Sequence, residues 1–192
     1  MIDPIWLFVA AGLFSPGPNV ILLTASGARF GITRTLPHLV GVVFGVGVIA
    51  GLSGLGVGAL LTEVPGLKWT LKIVAAAWIV WMAWTLWHRA TGDTKAPDRP
   101  MTLPAAALFQ WVNPKIWAVA LAAASGYPAG LPPVHEAARL ALIFSGTNTA
   151  AGLTWLAIGA GLGRVLTQPA ARTRLGRAMA VLLAASAVMV FL

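Results

Sequence analysis

Ser15-Pro16-Gly17-Pro18-Asn19 sits in the middle of an otherwise apolar N-terminal segment running from about Pro4 to Ala28. Each proline removes an amide donor and clashes with the carbonyl four residues back, at about 3 kcal/mol in a helix interior, so a helix over this segment must break here. In hydrocarbon the carbonyls freed at Gly12 and Phe14 have no water to turn to. Such an interruption survives only where it is buried in protein or lines a wet cavity, which makes it a candidate binding site. Ser15 is a suitable N-cap and Pro16 a suitable first helical residue, so the chain is expected to restart as a half-helix with its positive dipole end inside the protein.

Asn113-Pro114-Lys115 repeats the arrangement inside another apolar segment, about half a chain length further on. Corresponding Pro-interrupted segments in two halves of a membrane chain point to a repeat-built transporter with its site near the midplane.

The composition agrees. Hydrophobic residues make up 58% of the chain and charged residues 9%, too little polar surface for a soluble domain of 192 residues. The net charge of +8 would suggest nucleic acid in a soluble protein. Here most basic residues fall between apolar runs, where orientation in a membrane accounts for them and no nucleic-acid partner is needed. The absence of cysteine removes disulfides, thiol chemistry and Cys-based metal sites. Met1 to Trp6 lacks the basic region of a signal peptide and is expected to be retained.

Six spans are expected, at roughly 4–28, 37–61, 67–87, 103–124, 136–162 and 175–192, each long enough to cross a core of about 30 Å. Nine of the thirteen basic residues lie in the connections after the first, third and fifth spans: Arg29, Arg34, Arg89, Lys95, Arg99, Arg164, Arg172, Arg174 and Arg177. Lys68, Lys72 and Arg139 lie on the opposite side with Asp3, Glu63 and Glu136, which places both termini outside, in the periplasm. At 1.5 Å per residue the two breaks lie about 15–18 Å deep from opposite faces and meet near the midplane. The expected fold is an all-α integral membrane protein: one domain over 1–192, six transmembrane helices as two inverted three-helix repeats, the first and fourth broken at prolines. Repeat one covers about 1–88, repeat two about 103–192, with a cytoplasmic linker at about 89–102.

The second span carries Gly41, Gly45, Gly47, Gly51, Gly54 and Gly58, which serve close helix packing or direct substrate contact. Trp78, Trp81, Trp84 and Trp87 recur every three residues and read as interfacial anchors or as a hydrophobic wall. Ser145, Thr147, Asn148 and Thr154 form a polar patch in the fifth span, for interhelical bonding or for lining a path. An ammonium at mid-membrane costs at least about 2.5 kcal/mol, so Lys115 is a functional candidate. It would either bind a carboxylate beside two half-helix N-termini or hydrogen-bond the carbonyls orphaned at the first break. His38, at the start of the second span, is a surface or capping residue or else a proton carrier. His88 and His135 read as loop residues.

The runs F-S-P-G-P-N-V-I-L-L-T-A-S-G-A-R-F-G, G-V-V-F-G-V, L-K-I-V-A-A-A-W-I-V-W-M-A-W and Q-W-V-N-P-K resemble the LysE/RhtB family of amino-acid exporters over essentially the whole chain. The resemblance implies a bacterial inner-membrane exporter, proton-coupled, with Pro16, Gly17, Pro18, Asn19, Asn113, Pro114 and Lys115 at the matching positions. With Ser15 and Asn148 these form the expected substrate site, and His38 is the proton-coupling candidate. Lysine-exporting relatives are expected to carry an aspartate where this chain has Val46. All five acidic residues read as lying in connections, so a cationic side chain would go unpaired and a neutral substrate is favoured. No cofactor, metal or enzymatic constellation is expected. The partners are a small-molecule amino acid, the bilayer and a possible second copy. A transporter of another metabolite or ion, and a non-transporting membrane scaffold, are the alternatives.

Overall fold

The structure, a computed structural model, describes residues 3–56, 65–91, 99–188 and 191. Among them are seven helices and no strand: α1 (Pro4–Phe14), α2 (Pro18–Gly54), α3 (Pro65–Thr91), α4 (Leu103–Trp111), α5 (Pro114–Gly126), α6 (Pro133–Val165) and α7 (Pro169–Val188). All seven have a proline at the first or second helical position. The missing amide costs nothing there, and the fixed φ suits the first turn.

Both breaks fall where the prolines demand them, between α1 and α2 and between α4 and α5. One detail differs from expectation. The half-helix restarts at Pro18 with Gly17 as N-cap, and Ser15 closes α1 instead, its hydroxyl donating to the Gly12 carbonyl at 2.8 Å. A proline at residue 16 followed by a second at 18 leaves only the second free to start a helix, because the residue before a proline is pushed out of the helical region. Gly17 accordingly lies extended.

The connection expected over 29–36 is also shorter than read. α2 runs through it, with Gly31 alone departing from helical geometry at φ 77°, a left-handed conformation open to glycine. Thr35 Oγ1 donates to the Gly31 carbonyl at 2.8 Å, and Ser26 Oγ meets Thr35 Oγ1 at 3.1 Å, which fastens the two limbs across the kink. Arg172, Arg174 and Arg177 lie inside α7 rather than before it. Arg172 reaches back to donate to the Leu166 and Gly163 carbonyls, closing the C-terminal end of α6. His88 and His135 stand in the last turn of α3 and the first turn of α6, not in loops. Glu136 is likewise helical and buried, bonded to Arg139. Gly58, Glu63, Asp93, Lys95 and Asp98 lie outside the described residues.

By length and composition α2 and α6 can each cross a membrane. The first and fourth expected spans are divided by their breaks, leaving α1, α4 and α5 with 11, 9 and 13 residues. The most extensive packing is α2 on α6, followed by α3 on α7 and α2 on α4. The largest buried apolar cluster joins α1, α5, α6 and the second limb of α2 through Ile5, Val9, Val46, Ile116, Leu140 and Phe144.

Glycines make these approaches possible. A Cβ on Gly45 would lie 2.7 Å from both the Ala107 carbonyl and Gln110 Cγ, whereas one on Gly161 meets nothing within 4 Å. Gly45→Ala should therefore destabilise the protein by about 1–3 kcal/mol through overpacking. Gly161→Ala should stabilise it by about 0.5–1 kcal/mol through helix propensity. Thermal unfolding in detergent reads both, and equal behaviour of the two variants would contradict the packing.

Candidate binding site

The two breaks face each other and are cross-linked by their own side chains. Asn19, second residue of α2, pairs reciprocally with Gln110 at the end of α4: Asn19 Nδ2 donates to Gln110 Oε1 at 2.8 Å, and Gln110 Nε2 donates to Asn19 Oδ1 at 3.1 Å. Lys115, second residue of α5, extends the other way, its Nζ donating to the Ser15 carbonyl at 2.5 Å and the Pro16 carbonyl at 3.4 Å. Each half-helix thus sends its second side chain into the opposite break. Asn113 Nδ2 adds a longer bond to Gln110 Oε1 at 3.4 Å.

The orphaned carbonyls are met in kind. Phe14 O accepts from Trp155 Nε1 of α6 at 3.3 Å, and Trp111 O accepts from Trp117 Nε1 at 2.9 Å. Indoles suit this task because they bring one donor on a large apolar body. The helix starts are treated differently. Neither Gly17 nor Asn113 makes a side-chain capping bond, so the amides of Asn19, Val20 and Lys115, which precede the first backbone bonds from Ile21 and Ile116, keep their donor capacity and their dipole.

Of the residues expected at the site, Ser15, Pro16, Gly17, Pro18, Asn19, Asn113, Pro114 and Lys115 come together around the two breaks. Gly17 presses on Lys115, since a Cβ there would stand 3.0 Å from its Cδ. Asn148 is buried in α6 between Phe144 and Ala151 at helical spacing, on the face that packs against α1 and α5. Among the described residues its Nδ2 has no hydrogen-bond partner, nor does Asn113 Oδ1 or Thr147 Oγ1, all three buried. Thr154 is exposed and bonds back to its own helix.

Gln110, Trp155 and Trp117 were not singled out by sequence reasoning. Gln110 was legible in principle: it is the one amide in the apolar run of α4, three residues before Asn113. The partners of the two tryptophans follow only from the tertiary fold.

A cavity of about 380 Å³ opens where Arg29, Arg89 and Arg99 gather, bounded by α2, α3 and α4. His38 lines it and is only 2% exposed, so it is no surface residue, and its Nδ1 has no partner among the described residues. Trp78 forms part of the wall and packs on Phe109 with centroids 6.2 Å apart, while Trp81 and Trp84 are largely exposed. Gly41 and Gly45 pack on α4, Gly47, Gly51 and Gly54 on α6.

At the opposite end Arg139 gathers three elements. Its guanidinium donates to Asp3 Oδ2 at 2.9 Å, Glu136 Oε1 at 2.7 Å and the Tyr127 carbonyl at 3.0 Å. Asp3 Oδ1 also caps α1 by accepting from the Ile5 amide at 3.1 Å, and that bond, followed by the one from Arg139, holds its carboxyl below the usual range. A lowered carboxyl favours the folded state at neutral pH and loses that contribution as pH falls through its folded value.

Facing, proline-opened half-helices tied by exchanged side chains define a helical protein built around two interior breaks. The family model for the LysE type translocator matches residues 10–192, and the chain belongs to that family. It is similar to the cysteine/O-acetylserine efflux proteins of Salmonella paratyphi A, Salmonella typhi and Escherichia coli O1:K1 / APEC, at 27% identity over 117 residues in each case. The matched stretch is 60% of this chain and spans only 60% of the length of those relatives. No solved structure matches.

Proposed function

We propose that this chain is a secondary exporter of amino acids or related small zwitterions with neutral side chains across the bacterial inner membrane, and not an enzyme. The observation that carries the reading is the pair of buried, unpartnered amide atoms on helices in contact, Asn113 Oδ1 on the α5 start and Asn148 Nδ2 on α6. One is an acceptor suited to an ammonium group, the other a donor suited to a carboxylate. The third proton of Lys115 and the uncapped amides of α2 and α5 add positive potential for the carboxylate. The relatives' efflux of cysteine and O-acetylserine, both zwitterionic amino acids, points the same way.

The architecture proposed is six passes in two inverted repeats. Its support is the packing: α2 lies against α4 as α6 lies against α1, and α3 pairs with α7. Arg29, Arg89 and Arg99 share one cavity, while Asp3, Glu136 and Arg139 share the other end. By the positive-inside rule the cavity end is cytoplasmic and both termini are periplasmic. The natural absence of cysteine makes this directly testable. Arg172→Cys should react with an impermeant maleimide only after the membrane is opened; labelling from the periplasm would reverse the orientation.

Counterflow of labelled zwitterions in proteoliposomes tests the function. Saturable exchange of at least one neutral amino acid is expected, with lysine and arginine poor substrates; no exchange by any amino acid would overturn the reading. Proton coupling is assigned to His38, the buried imidazole of the cytoplasmic cavity. His38→Gln should keep counterflow and lose its stimulation by an imposed pH gradient, and retained stimulation would remove His38 from the coupling.

A further inference from the structure

The cavity changes character along its length. Arg29 lies ten residues beyond Asn19 on α2, about 15 Å along the axis, and Arg89 lies eleven beyond Trp78 on α3, a similar distance, so the guanidiniums stand at the mouth. Leu22, only three residues from Asn19 and about 4.5 Å along the same helix, belongs to the deep end. Trp78 is there too, packed on Phe109, whose next residue Gln110 holds Asn19. Met82, Leu86 and Met101 complete an apolar wall. Ser26, His38, Thr85 and Thr102 also line the cavity, but the part nearest the polar ties is formed by Leu22 and Trp78, which suits an apolar side chain.

We infer that this chamber receives a large apolar side chain, branched or aromatic, of a zwitterion whose charged head lies at the crossed ties between the two breaks. The inference rests on the exporter reading above and narrows its substrate class. A volume of about 380 Å³ is at the lower end of the range for small-molecule sites, which are mostly apolar with a few placed polar groups. Trp78, backed by the buried Phe109, offers an aromatic surface to one side of the bound side chain. Met82 and Met101, unbranched and polarizable, adapt to different outlines, so leucine, methionine and phenylalanine should all be accepted.

Saturation binding of labelled phenylalanine, leucine and serine to the detergent-purified full chain provides the test. Phenylalanine and leucine should bind at least about 10-fold more tightly than serine, the order expected for burying a large apolar side chain. Met82→Trp, which fills the chamber, should weaken phenylalanine binding about 10-fold or more and serine binding by much less. Should that variant fail to elute as a monodisperse species, Leu22→Phe intrudes on the same chamber with a smaller increase in volume and carries the same expectation. Serine binding as tightly as phenylalanine, or phenylalanine binding unaffected in a folded chamber variant, overturns the side-chain assignment and leaves the exporter reading standing. Failure of all three amino acids to bind, together with absent counterflow across a wider panel, overturns both.

Discussion

Lys115→Met should abolish zwitterion counterflow in proteoliposomes while the protein still folds. The substitution keeps the bulk of the stem that packs against Gly17 and deletes the ammonium. Two consequences follow. The Ser15 and Pro16 carbonyls lose their donor. The carboxylate of the proposed substrate loses its nearest full positive charge. Lys115→Arg should retain little activity, because a planar fork does not replace a compact ammonium pointed at two adjacent carbonyls. Gly17→Ala is the informative companion, since it leaves the charge in place and displaces it by crowding the stem; affinity should fall with maximal rate largely kept. Normal counterflow by Lys115→Met would reduce the lysine to a structural tie and remove the carboxylate role.

Gln110→Leu should be the most destabilising single change at the site. Gln110 is fully buried and serves Asn19, Asn113 and the Ala106 carbonyl at once. Leucine fills a similar volume and satisfies none of them. Asn19 loses both of its side-chain hydrogen bonds, and at about 1–3 kcal/mol per stranded polar group the loss sums to about 2–6 kcal/mol. Gln110→Glu keeps an acceptor for both asparagines and should recover part of the stability, read as the midpoint of thermal unfolding in detergent. If leucine is tolerated within about 0.5 kcal/mol, the range of neutral surface changes, the Asn19–Gln110 pair does not hold the two breaks together.

These two residues also mark how far the chain could be read before it was folded. Lys115 was legible because an ammonium inside an apolar run is costly wherever it lies, so it announces a partner or a ligand. Its contact with the carbonyls of the first break was one of two readings open in the sequence. Gln110 stood five residues before it in the same motif and was passed over, because a neutral amide in a helix has no comparable cost until its surroundings are known.

The amino-acid sequence by itself determined where the helices stop. Proline chemistry is local, acting on its own amide and on the carbonyl one turn back, so the breaks at residues 15–17 and 112–113 needed no tertiary information. The apolar composition and the placing of arginines were equally local. Which proline opened the second half-helix was already less certain, since Pro16 and Pro18 compete over three residues, and the turn at Gly31 was read eight residues wide because a single glycine with φ 77° carries no mark beyond its identity. Only the tertiary structure decided what meets the freed backbone. Trp155 reaches Phe14 across 141 positions of chain, and Asn19 reaches Gln110 across 91. Contacts of that span depend on how α2, α4 and α6 pack through their glycines, and packing is a property of surfaces that form after the helices do.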